Sequence, residues 1–155
     1  MRRRHLSADA WQAIRRARGL RPGIAIGADI IAGFPTETDA LFDETLRFVE
    51  AAEIPYLHVF PYSERPGTPA ARMPAVPKPV RKERAARLRL AGLAEANRFF
   101  AGHIGQVVSL LTEADHGGHS EHFAPVRLAC PSTPGRLVRA RVTGSTSEQL
   151  LAEAA

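Results

Sequence analysis

The stretch from Ile24 to Phe60 constrains the fold more than any other part of the sequence. Ile24-Ala25-Ile26-Gly27-Ala28-Asp29-Ile30-Ile31 is a short apolar run bounded by glycine and proline, the pattern of a buried strand in a parallel sheet. The loop Gly33-Phe34-Pro35-Thr36-Glu37 follows. Thr38 is then placed to cap a helix running to about Ala52, with Leu41, Phe42, Thr45, Leu46 and Val49 on its apolar side. Tyr56-Leu57-His58-Val59-Phe60 reads as the next strand. A helix between two strands brings the chain back to the same end of the sheet, so the strands pair in parallel and the class is α/β. Two strands are a piece of a larger sheet, either a partial TIM-like barrel or a doubly wound sheet.

The flanks extend this rhythm on one side and break it on the other. Ser7 is placed to cap a helix through about Arg18, with Trp11, Ile14 and Ala17 at helical spacing and Gly19 and Pro22 at its end. Between Pro61 and Pro79 the prolines allow neither helix nor ladder, which predicts an active-site rim or a linker. A helix from Pro79 to about Ala101 follows, with one basic side. Beyond it, residues 106–113, 123–129, 136–143 and 148–153 are short β-like segments separated by Gly-, Pro-, Ser- and His-rich turns, as in a small antiparallel barrel of the OB type. The expected division is therefore 1–101 for the α/β part and 102–155 for the small barrel.

Charge and composition bear on partners. Of 155 residues, 45% are hydrophobic and 24% charged, which is globular rather than disordered. The longest apolar run is interrupted by Asp29 and is too short to cross a bilayer. Met1-Arg2-Arg3-Arg4 leads into a polar helix rather than a signal core, so no membrane partner and a cytoplasmic location are expected. The net charge of +5 favours a polyanion. Its arginines and lysines cluster at Arg2, Arg3, Arg4, Arg15, Arg16, Arg18 and Arg21, and again at Lys78, Arg81, Lys82, Arg84, Arg87 and Arg89; the second run is either a solvated helix face or part of an RNA surface. In the near-neutral last part, Arg127, Arg139 and Arg141 fall on predicted strands, and alternation puts Arg139 and Arg141 on one face, where they could contact phosphates.

The candidate sites lie where strands end, because ligands of α/β sheets bind beside carboxyl ends. The first run ends in Gly33, whose missing side chain would let backbone approach a ligand; the alternative is a plain Gly-Pro turn with Asp29 in an internal hydrogen bond. The second ends in His58-Val59-Phe60-Pro61-Tyr62-Ser63-Glu64-Arg65-Pro66-Gly67-Thr68. There His58 is either an acid or base or a hydrogen-bonded core residue, and Arg65 either a ligand contact or a solvated loop residue. His116, His119 and His122 lie close together, but glycine-rich spacing defines no metal geometry, and an exposed loop is expected. Cys130 is the only cysteine, so the chain has neither an internal disulfide nor a cysteine cluster.

DIIAGFPTET, followed after one helix by LHVFPYSERPGTPAARM, resembles the methylthiotransferase branch of the radical S-adenosylmethionine superfamily. LHVFPYS is most similar to the enzymes that act on N6-threonylcarbamoyladenosine in tRNA, and differs from the isopentenyladenosine and ribosomal-protein branches. The resemblance covers nearly the whole chain and continues through the basic helix into a TRAM domain, a small RNA-binding β-barrel. It implies a transferase that inserts sulfur at adenine C2 next to the anticodon and methylates it. One S-adenosylmethionine would give a 5'-deoxyadenosyl radical and another the methyl group. Ile31, Gly33 and Glu37 would surround the adenine of S-adenosylmethionine and close the loop after the fifth barrel strand. Phe60 and Pro61 would approach it from the sixth, and Arg65, Gly67 and Thr68 would lie near the substrate or a second cluster. The 4Fe-4S clusters of such an enzyme need cysteines from a C-x-x-x-C-x-x-C motif and an amino-terminal domain, which this sequence lacks. The expectation is a carboxy-terminal part of the enzyme, inactive alone and missing its amino-terminal partner segment, with the tRNA anticodon stem-loop as partner. The competing expectation is a non-catalytic RNA-binding protein that uses the barrel and the basic helix.

Overall fold

A computed structural model describes residues 6–155, so the expectations for Arg2, Arg3 and Arg4 lie outside the described residues. The elements run α1 (Ser7–Leu20), β1 (Gly27–Ala32), α2 (Asp39–Ala51), β2 (Tyr56–Pro61), a 3-10 turn (Pro69–Arg72), α3 (Lys78–Ala101), β3 (Val107–Ala114), β4 (Gly117–Ser120), β5 (Pro125–Leu128), β6 (Leu137–Ser145) and β7 (Leu150–Ala154). The chain forms two compact units that meet in sequence between Leu93 and Ala94, inside α3. No helix among the described residues is long and apolar enough to cross a membrane.

In the first unit, β1 and β2 pair in parallel, with Asp29 abreast of His58, Ile31 of Phe60 and Ala32 of Pro61. Alternation splits the sheet into two faces. Ile30, Ala32, Leu57 and Val59 pack with Phe42 and Val49 of α2 and Ala85 and Leu88 of α3. The other face carries Asp29, Ile31, His58 and Phe60. Asp29 and His58 are exposed there: among the described residues the Asp29 side chain has no hydrogen bond, and His58 is not a core residue, contrary to the alternatives drawn from pattern alone. A sheet with helices on one side has only one buried face, and the other holds the polar Asp29 and His58 beside Ile31 and Phe60. The described residues thus hold a two-stranded parallel sheet, α/β in class, without a barrel wall. Gly92 in α3 is explained by close packing, since a Cβ there would stand 2.9 Å from Leu57 Cβ.

The helix caps divide in their legibility. Thr38 caps α2 as expected, its hydroxyl accepting from Leu41 N at 3.3 Å. Ser7 does not cap α1. Leu6 is the N-cap, and the Asp9 carboxylate reaches back to accept from Leu6 N at 2.7 Å, so a carboxylate in the first turn does the work expected of the serine.

The second unit is a closed barrel in the order β3-β4-β5-β7-β6, with β6 pairing back to β3. The expected all-antiparallel closure is corrected in one pairing: β5 and β7 run parallel. Strands can alternate direction around a closed ring only if their number is even, so five strands force one parallel pair. The strand not expected is β4, where Gly117, Gly118 and His119 had suggested an exposed loop. The glycines are what permit it: a Cβ on Gly118 would stand 1.8 Å from Leu111 O, and one on Gly117 2.2 Å from Val126 O. Val108, Leu110, Val126, Leu128, Ala140, Val142, Leu150 and Ala152 fill the barrel, joined by Phe100 from the end of α3.

Candidate functional site

The carboxyl ends of β1 and β2 lie side by side and floor a cavity of about 810 Å³, lined by Ile31, Phe34, Phe60, Pro61, Tyr62, Arg65 and Thr68 among others. The Phe34 ring meets Tyr62 edge-on at 5.3 Å. The walls are largely apolar and aromatic, which suits a flat heteroaromatic group. Five of the residues singled out from the sequence, Ile31, Phe60, Pro61, Arg65 and Thr68, therefore converge on one space.

Gly33, Glu37 and Gly67 do not line it; they shape the loops around it. Gly33 has φ +75°, and its open side faces Arg81, whose Cγ would be 2.6 Å from an added Cβ, so the glycine admits a side chain of α3 rather than a ligand. Glu37 Oε1 accepts from Gly33 N at 2.9 Å and closes the loop after β1. Gly67, at φ +81° with open space around it, makes the turn in which Thr68 Oγ1 donates to Arg65 O at 2.8 Å and accepts from Ala71 N at 3.3 Å.

The basic run on α3 is where pattern reasoning missed most. Arg84 is buried and donates to Glu37 Oε1 at 2.7 Å, to Glu37 O at 3.0 Å and to Asp39 Oδ1 at 2.5 Å. Burial works against its charge, but the hydrogen bonds it donates to Asp39 and Glu37, and their negative charges, outweigh that and the pKa is raised. Arg81, also buried, donates to Tyr62 O at 3.1 Å, Glu64 Oε1 at 2.9 Å and Val76 O, with its guanidinium 5.3 Å from the Tyr62 ring centre. Arg89 donates to Val59 O at 2.9 Å. Arg84 fixes the loop after β1, and Arg81 the loop after β2. Neither is a solvated charge nor open to a phosphate; Lys82 and Arg87 stay outside, with Arg87 paired to Asp43.

On the barrel, Arg139 and Arg141 share the outer side of β6, and Arg127 is exposed on β5. Arg141 donates to Gly105 O at 3.1 Å. Arg127 and Arg139 have no side-chain partner among the described residues. The three histidines of the glycine-rich stretch do not gather. His119 Nδ1 lies 2.7 Å from Glu113 Oε2, while the His122 ring packs 5.0 Å from that of His103. No group of three potential metal ligands occurs among the described residues, and Cys130 is exposed.

No family profile matches the chain. It is similar to the threonylcarbamoyladenosine tRNA methylthiotransferase of Rickettsia prowazekii, with 50% identity over 93% of the chain and 34% of the relative. It is also similar to two tRNA-2-methylthio-N(6)-dimethylallyladenosine synthases. That of Alkalilimnicola ehrlichii is 35% identical over 99% of the chain and 36% of the relative. That of Bartonella bacilliformis is 33% identical over all of the chain and 35% of the relative. The chain spans about a third of the length of the curated relatives it matches.

Proposed function

Because this chain is a homologue of tRNA methylthiotransferases over nearly its whole length, we propose that it carries the cofactor-contacting strand ends and the RNA-contacting barrel of such an enzyme. The substrate nucleoside is N6-threonylcarbamoyladenosine next to the anticodon, and the enzyme works in the cytoplasm. The higher identity to the threonylcarbamoyladenosine relative, 50% against 35% and 33%, supports that choice of nucleoside. The first unit belongs to the α/β part, and the second, which takes in the end of α3, is a TRAM-like RNA-binding barrel.

The observation that carries the reading is the convergence of Ile31, Phe60 and Pro61 on one apolar cavity at paired strand ends. These residues fit the adenine of S-adenosylmethionine, a flat group with an apolar face, and Gly33 and Glu37 hold the adjoining loop. Arg65 and Thr68, which also line the cavity, lie toward the substrate on this reading. S-adenosylmethionine, when bound, supplies the transferred methyl group and the means of activating the adenine C–H bond. The iron-sulfur clusters do not fit the residues present: one exposed cysteine on the barrel is no ligand set, and no group of three metal ligands exists among the described residues. Cluster ligands must come from elsewhere, and this chain by itself does not catalyse the reaction.

The closed barrel also supports a second reading, a non-catalytic RNA-binding protein, since it satisfies its own strand edges. A nuclear magnetic resonance titration separates the two. On the first reading, S-adenosylmethionine shifts the signals of Ile31 and Phe60, and an anticodon stem-loop RNA shifts those of Arg127 and Arg139. RNA shifts alone favour the second reading, and a folded chain that responds to neither contradicts both.

A further inference from the structure

The outer surface of the barrel carries a row in which exposed apolar side chains flank a histidine. The pairings Leu137–Leu111, Leu111–His119 and His119–Pro125 put these four residues in line across β6, β3, β4 and β5. Leu137 is 76% and Leu111 47% exposed. Beside the row stands Phe123, 78% exposed, its ring 6.0 Å from that of His119.

The backbone at Phe123 is the unusual feature. It closes the turn between β4 and β5, where Phe123 N donates to Ser120 O at 2.9 Å and Ser120 N to Ala124 O at 2.9 Å. This places Phe123 at φ 61°, in the left-handed region, where a bulky side chain is strained and glycine is not. The strain brings no burial in return, because the ring stands in solvent. Strain held without a packing gain points to a role outside the fold.

Cations flank the row on opposite sides. Arg139 lies two residues beyond Leu137 on β6, and Arg127 two residues beyond Pro125 on β5; those strands run in opposite directions, so each arginine is about 7 Å from the row on its own side. Both are without side-chain partners among the described residues. Two carboxylates of this face are engaged, Glu113 with His119 and Glu121 Oε2 accepting from Ser109 N at 2.8 Å, while Glu153 stands across from Arg141 on the β6–β7 pairing. A cleft of about 460 Å³ beside the row is lined by Gly117, His119, Pro125 and Arg127 among others.

We propose that this face is a stacking platform for unpaired RNA bases, anchored by the ring of Phe123, with Arg127 and Arg139 holding the phosphates on either side. The inference rests on the reading of the barrel as RNA-handling and specifies which bases it takes. A duplex keeps its bases stacked on one another, whereas an aromatic ring with an apolar row and flanking cations receives bases that have left a stack.

The test uses the full chain and a labelled anticodon stem-loop RNA. Phe123→Gly is expected to raise the melting temperature, because it relieves the left-handed strain, and to weaken RNA binding about tenfold. Phe123→Trp is expected to bind within about twofold of the original chain, since it keeps a stacking ring. Phe123→Gly binding as tightly as the original chain would overturn the platform and leave the RNA reading standing. A lower melting temperature in Phe123→Gly would show that the ring holds the barrel together, and would also overturn it. Absence of RNA binding by the original chain would overturn the RNA reading and this inference with it.

Discussion

The two units use the same residue type in opposite ways. In the first unit Arg81, Arg84 and Arg89 end on backbone carbonyls and carboxylates of that unit, and two of them are buried. In the barrel Arg127 and Arg139 end in solvent with no partner among the described residues. The difference follows from architecture. The barrel closes its hydrogen-bond ladder on itself, and of its strand arginines Arg141 reaches a carbonyl while Arg127 and Arg139 do not. The first unit has two strands whose loops would otherwise be loosely held, and arginines from α3 tie them. A basic sequence is therefore not one basic surface. Charge that counts toward the total of +5 is partly internal structure.

The contrast can be broken or sharpened by substitution, beginning with the largest effect. Gly118→Ala drives a Cβ against the backbone carbonyl of Leu111 at 1.8 Å, which cannot yield without opening the β3–β4 pairing. It should cost about 4 kcal/mol or more in denaturant unfolding and be confined to barrel probes. Arg84→Met should cost about 3 kcal/mol, because it leaves the Glu37 carboxylate, only 13% exposed, without its cation. The Asp39 arm contributes little of this, since that carboxylate is 94% exposed. Arg127→Ala should stay within about 0.5 kcal/mol in the same measurement. Equal costs at Arg84 and Arg127 would remove the distinction between the units. Gly33→Ala should cost about 2 kcal/mol, as φ +75° and the Arg81 side chain both oppose a Cβ, and it should disturb the cavity at the strand ends but not the barrel.

A further effect is alkaline. Burial pushes the Tyr56 phenol up to about 12 from an ordinary 10.0. The folded chain holds this proton more tightly than the unfolded one. The stability it contributes is therefore complete below pH 10 and is lost as the pH rises through about 12. An ultraviolet titration should show one tyrosine ionising late, and Tyr56→Phe should flatten the fall in stability over that window.

What the sequence made legible was local. Thr38 and the apolar face of α2 identify a helix because cap and stripe are both short-range, and the strands β1 and β2 announce themselves by composition. What it hid was set by contacts across the chain. Arg84 lies 47 residues from Glu37, and nothing in a run of arginines says which of them turn inward. Gly117 and Gly118 read as loop residues because their purpose, the approach of two neighbouring backbones, exists only once β3 and β5 are in place. The four strands legible in the sequence fit an all-antiparallel ring; only with β4 does the count become five, and a closed ring of five cannot be wholly antiparallel. At the strand ends, Ile31, Phe60, Pro61, Arg65 and Thr68 could be named in advance, while the roles of Gly33 and Glu37 as loop-holders needed the geometry.

Which arginines meet RNA decides between a barrel surface and a helix surface. The most direct measurement is the salt dependence of stem-loop binding for the full chain and for Arg127→Ala/Arg139→Ala, with each variant's fold checked by its melting curve. Removing two phosphate-binding side chains should reduce the slope of log affinity against log salt by roughly 1.5 to 2 and leave the melting temperature nearly unchanged. A slope that stays the same in the double variant would contradict the barrel assignment, and would return the basic helix to the RNA surface.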